Sequence, residues 1–137
     1  MLHKRLKQLE TNVAELSRFR EKHTIREIKT DKSKEWALRY GLLESIQVVI
    51  DISCHIVVHK NLGNAKTYSE CIEILHAYDH IDEELKNKLI GMTGLRNILV
   101  HEYIDIDLDQ LYGMLDRLDD FNQFAKAVET IGRNTGE

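Results

Sequence analysis

The sequence predicts an all-α fold, an antiparallel bundle of about five helices forming one domain over residues 1–137. Two observations predict it. The 137 residues contain no proline, so no pyrrolidine ring removes a backbone donor or breaks a helix. Alternating β-branched runs are few, while apolar residues recur at spacings of three and four, the period of a helix face.

Leu2, Leu6, Leu9, Val13 and Leu16 follow that period and predict a first amphipathic helix of about twenty residues. Residues 23–32, HTIREIKTDK, have weak periodicity and read as a connection. Ser33 or Thr30 is placed to cap a second helix over 33–60. That helix is the most apolar. Trp36, Leu38, Leu42, Leu43, Ile46, Val49, Ile50, Ile52, Ile56 and Val57 wrap most of its circumference, which predicts a central helix. NLGN, 61–64, ends it, with Gly63 available for a left-handed turn.

Thr67 and Glu70 form a capping-box pair that opens a short third helix to Ala77. Asp82 caps a fourth, with Glu83 and Glu84 complementing the dipole of its first turn. Gly91 and Gly94 weaken this helix, and close approach of a neighbouring backbone is the expected compensation. Asp107 with Gln110 opens a last helix to Ile131, followed by a frayed GRNTGE tail. Phe19, Tyr40, Phe121 and Phe124 fall on apolar faces and read as core. His3, His23, His76 and His80 read as surface residues.

Hydrophobic residues make up 42% of the chain, enough for one core. No stretch reads as the run of roughly 18 apolar residues that a bilayer span needs. The N-terminus is charged from its third residue and lacks an apolar signal core, so a cytoplasmic protein is expected. Cys54 and Cys71 lie in apolar surroundings and read as buried free thiols. The net charge of −4 argues against binding nucleic acid through the whole surface. Its distribution is uneven: residues 1–39 hold 11 Lys+Arg against 6 Asp+Glu, and residues 40–137 hold 8 against 17. Either these are solvated helix faces, or one face is basic for RNA and the other acidic for something else.

Within the central helix, Glu44, Gln47, Asp51, His55 and His59 form one polar stripe. Asp51 sits between VVI and IS, a costly place for an unpaired charge. It either faces solvent or a buried arginine, or it faces Arg96 or His101 and positions them. Asp51 and His55 also have the spacing of two metal ligands, without an evident third. No phosphate-loop spacing is present.

The segment RNILVHEY, 96–103, carries the densest chemistry. Arg96 offers a planar fork for phosphate and stays charged. Histidine is the side chain suited to take or give a proton near neutral pH, and His101 supplies it here. Together they suit attack of a ribose 2′-hydroxyl on the adjacent phosphate: His101 moves the proton and Arg96 holds the developing phosphorane charge, with no metal or other cofactor. Asn97 is placed to orient the imidazole or the phosphate. On a continuous helix Arg96 and His101 point about 140° apart. Either the helix breaks near Val100, or a second subunit supplies half of the site.

GLRNILVHEY closely resembles the signature of HEPN-domain proteins, specifically the HepT-like toxins. The likeness extends through VVIDISCHIV, TYSECIEIL and the chain length. It implies an all-helical HEPN-like homodimer, the toxin of a type VII-like HepT/MNT toxin–antitoxin system. It implies a metal-independent endoribonuclease with Arg96 and His101 as catalytic residues and Asn97 between them. It also implies that Tyr103 accepts AMP from a minimal nucleotidyltransferase antitoxin, which silences the toxin. Tyr103 precedes the acidic IDIDLD stretch, where a phenol leaving the helix into solvent would be accessible. RNA and the antitoxin are the expected partners; DNA and membrane are not. The competing class is a non-catalytic helical module that binds nucleotide or protein and docks a nucleotidyltransferase.

Overall fold

The computed structural model describes residues 2–102 and 105–135. Its described residues form seven α-helices and one 3₁₀ turn, without strands: α1 (Leu2–Lys22), α2 (Ile25–Thr30), α3 (Lys32–His59), α4 (Tyr68–Ala77), α5 (Glu83–His101), α6 (Leu108–Gly113), the 3₁₀ turn Met114–Arg117, and α7 (Asp119–Thr135). The all-α bundle is as predicted, with more breaks than five helices allow.

Each extra break has a local cause. Residues 23–32 are not a plain connection. Thr24 and Glu27 form a full capping box that starts α2. Asp31 then closes α2 and, in place of Thr30 or Ser33, caps α3 by accepting from the Ser33 amide at 3.0 Å. The last predicted helix is split. Leu111 and Leu115 are buried in one core cluster, while Phe121, Phe124, Val128 and Ile131 are buried in another. On one continuous helix those two stripes would be rotated apart by roughly 140°, and the 3₁₀ turn resets the face. α7 also runs to Thr135, beyond the predicted end at Ile131.

α3 is central, packing against α1, α2, α4, α5 and α6. Leu38, Leu42, Ile46, Ile50, Ile52 and Ile56 are all essentially inaccessible. By length and composition this helix could cross a membrane, contrary to the reading of the sequence, but more than half of its most apolar window is buried inside the protein. Its hydropathy is that of a core helix with neighbours on several sides. Trp36 and Tyr40, placed in the core from sequence, are instead 61% and 65% exposed.

Asn61, with φ of 53°, takes the left-handed position after α3, which asparagine tolerates well. Gly63 has a different role: a Cβ there would come within 3.1 Å of Ile74 Cδ1. Gly91 and Gly94 have nothing within 4 Å of a built Cβ, so no neighbouring backbone of this chain explains them. At α4, Thr67 accepts from the Glu70 amide, but the Glu70 carboxylate takes the Lys66 amide rather than closing the box. His76 is not a free surface residue; its Nδ1 bonds the Ile81 carbonyl oxygen at 3.0 Å.

Cys54 and Cys71 are not free thiols. They form a disulfide, with Cα atoms 5.1 Å apart, because the packing of α3 on α4 brings two apolar-flanked cysteines into bonding range. The bond ties the central helix to α4 beside the segment that connects them.

Candidate functional site

Arg96, Asn97 and His101 lie in the last turns of α5. Asp82 starts this helix by accepting from the Leu85 amide at 2.8 Å. It does not break near Val100. His101 is its last helical residue, and the Glu102 amide still bonds the Ile98 carbonyl at 2.8 Å. Leu99 anchors the segment in the core, which leaves Asn97 and His101 exposed and Arg96 half-buried. Tyr103 lies outside the described residues.

Three groups hold the Arg96 guanidinium. Its Nε donates to Gln47 Oε1 at 3.0 Å. Its Nη1 donates to Asn97 Oδ1 at 3.2 Å. Its Cζ lies 5.1 Å from the centroid of the Tyr68 ring, within cation–π range. The Asn97 bond matters for geometry. Asn97 and His101 are four residues apart, about 40° on the helix, so Arg96 reaches around the helix toward the face that His101 shares. Its Nη2 has no partner among the described residues and remains for an anion.

Behind Arg96 runs a chain of polar contacts. Gln47 Nε2 donates to Asp51 Oδ1 at 2.9 Å, and Arg5 Nη1 donates to Asp51 Oδ2 at 3.1 Å. Asp51 pairs with an arginine, but Arg5 is about a third exposed rather than buried, and Asp51 does not bond Arg96 directly; Gln47 stands between them. A carboxylate only accepts and a guanidinium only donates. Their positions on either side of Gln47 therefore fix which way its amide points.

The rest of the polar stripe is an α1–α3 seam. Glu44 accepts from Asn12 at 3.0 Å and Gln8 at 3.2 Å. Its hydrogen bond from Tyr40, then those from Asn12 and Gln8, hold its carboxyl below the usual range. His55 stacks on His59, with ring centroids 5.4 Å apart, rather than turning toward Asp51 as a second ligand. Arg5, Gln47 and Tyr68 were not picked out as Arg96's supports. Gln47 was legible as a stripe member, but nothing in the sequence ties Arg5 or Tyr68 to position 96.

A family model described as Ribonuclease HepT-like matches residues 9–128. The chain belongs to the HepT-like ribonuclease family. Membership makes it a ribonuclease, the activity that RNILVHEY points to. Among HepT relatives, an mRNA nuclease HepT from Shewanella oneidensis is 29% identical over 104 residues, covering 75% of this chain and 78% of that one. A tRNA nuclease HepT from Aphanizomenon flos-aquae is 39% identical over 66 residues, 48% of this chain and 45% of that one. The HepT-like fold is shared with a tri-AMPylated Shewanella oneidensis HEPN toxin in complex with MNT antitoxin. There the TM-score is 0.86 at 23% identity, covering 94% of this chain and 96% of the other. A cytosolic protein of unknown function from Bacillus subtilis, YutE, shares it at a TM-score of 0.84 and 18% identity, covering 98% and 90%.

Proposed function

We propose that this HepT-like chain cuts RNA without a metal, through attack of a ribose 2′-hydroxyl on the neighbouring phosphate. Arg96 binds the phosphate and the charge that builds on it. Asn97 keeps the guanidinium on the His101 side of the helix, and His101 takes the 2′-hydroxyl proton as that oxygen bonds phosphorus; the P–O5′ bond breaks and the departing 5′-oxygen takes a proton from water. Asp51, acting through Gln47, is a positioning residue. The observation that carries this reading is the Arg96–Asn97 bond, which brings a phosphate-binding fork toward the face of a solvent-accessible imidazole.

The same reading includes a cytoplasmic homodimer. Gly91, Gly94, Ile98 and His101 fall on one side of α5, within about 80° of arc. All are exposed, Ile98 by 45%. Two glycines with open space beside an exposed isoleucine allow a second α5 to approach closely, which sets both His101 side chains along one seam. Tyr103 is the proposed AMP acceptor for a minimal nucleotidyltransferase antitoxin. A phosphodiester there would offer Arg96 an anion in place of RNA.

Cleavage of RNA by the purified chain in EDTA, lost in Arg96→Ala and His101→Ala, tests the nuclease reading. Mass spectrometry after incubation with a minimal nucleotidyltransferase and ATP tests the acceptor. Mass added in AMP units on Tyr103, absent from Tyr103→Phe, is expected; equal modification of Tyr103→Phe would place the acceptor elsewhere.

A further inference from the structure

Asn97 also borders a cavity of about 560 Å³ between α3, α4 and α5, which the chemistry above leaves unused. That volume is within the roughly 300–1,000 Å³ of small-ligand pockets. Part of its wall is apolar: the Cys54–Cys71 disulfide and Val58, the latter 76% exposed. Other parts are polar, with Asn64 and Asn97 offering amide donors and acceptors. Tyr68 lines it as well and is the ring beside the Arg96 guanidinium. An apolar slot edged by amides suits a flat heteroaromatic ring, and the cation next to it suits the phosphate attached to that ring through a sugar.

We propose that this cavity is a nucleobase subsite, holding an unpaired base of the RNA strand next to the phosphate on Arg96. A base can enter it only when released from a duplex, so the substrate is single-stranded at that point. The disulfide fixes α3 against α4 and keeps the slot at one width. Val58 and Asn64 set which bases fit, while the phosphate contact is the same for all.

The proposal rests on the ribonuclease reading of Arg96, and its test does not need cleavage. Adenosine 5′-monophosphate and ribose 5-phosphate carry the same phosphate and differ by the base. In NMR titrations, wild type should bind the nucleotide about tenfold more tightly than the sugar phosphate, the scale of one stacked base. Val58→Trp fills the slot from an exposed position and should erase that preference while ribose 5-phosphate binding stays unchanged. Asn64→Trp should do the same from another wall. Arg96→Ala should weaken both probes. Equal binding of the two probes by wild type, or an intact preference in both tryptophan variants, overturns the subsite. A chain that prefers the nucleotide but cuts no RNA keeps the subsite and loses the nuclease reading; one that cuts RNA while binding both probes alike does the reverse.

Discussion

Gln47 accepts a hydrogen bond from Arg96 Nε at 3.0 Å, across 49 residues of sequence. That contact joins the central helix to the helix bearing the RNILVHEY segment. Gln47→Leu keeps the side chain's bulk and removes the acceptor. Hydrogen bonds to charged groups contribute about 1.5–3 kcal/mol, so RNA cleavage should fall by roughly ten- to a hundredfold. Asp51→Asn should cost less, because an asparagine oxygen can still accept from Gln47. The comparison is kcat/KM for the two variants at equal helical content. Wild-type rates in Gln47→Leu would show that Arg96 needs no support from α3.

An acid-sensitive contact lies outside the site. The Glu27 carboxyl is held down to about 2 by its hydrogen bonds to His23 and then Lys34. A folded-state value below the unfolded one adds stability above about pH 4.5 and loses it as pH falls toward about 2. Thermal melting followed from pH 6 to pH 2 should show wild type losing stability through that window more steeply than Glu27→Gln. Parallel curves for the two proteins would remove Glu27 from the acid response.

Reduction of the Cys54–Cys71 bond should lower stability. A bond closing 17 residues of separation restricts the unfolded chain by about 3 kcal/mol. Urea unfolding with and without a reducing dithiol measures this, with the double serine variant as control. Loss of stability on adding dithiol to the serine variant would mean that the reductant acts elsewhere.

Much of the bundle was legible because helix signals are local. Asp82 caps α5 by bonding an amide three residues away, and the leucine period of α1 lies within one helix. The disulfide was not legible. Two cysteines in apolar runs look alike whether or not packing brings them together, and only the seating of α4 on α3 does so. The exposure of Trp36 and Tyr40 was missed for a similar reason. In a helix apolar around most of its circumference, periodicity alone does not say which side lacks a neighbour. At the site, Arg96, Asn97 and His101 stood out by residue type and spacing. Their supports, Gln47 and Tyr68, come from other helices, and a linear pattern does not encode which turn of one helix meets which turn of another.

Bulk on the exposed α5 face tests the dimer. A Cβ at Gly94 meets nothing within 4 Å, so Gly94→Trp should leave the fold of one chain intact. It should convert a dimer to a monomer in light scattering at concentrations where wild type stays paired. A wild-type chain that is monomeric, or a Gly94→Trp chain that remains dimeric, would move the interface off this face.

The most direct test is RNA cleavage by the purified chain in EDTA, set beside Arg96→Ala, Arg96→Lys and His101→Ala. Wild type should cut, leaving a 2′,3′-cyclic phosphate end as expected for 2′-hydroxyl attack. Both alanine variants should lose at least about a hundredfold, the scale of one proton-transfer or charge-stabilising group. Arg96→Lys should also be weak, since a point charge replaces the fork. Undiminished cutting by His101→Ala, or complete loss of wild-type activity in EDTA, would contradict the mechanism.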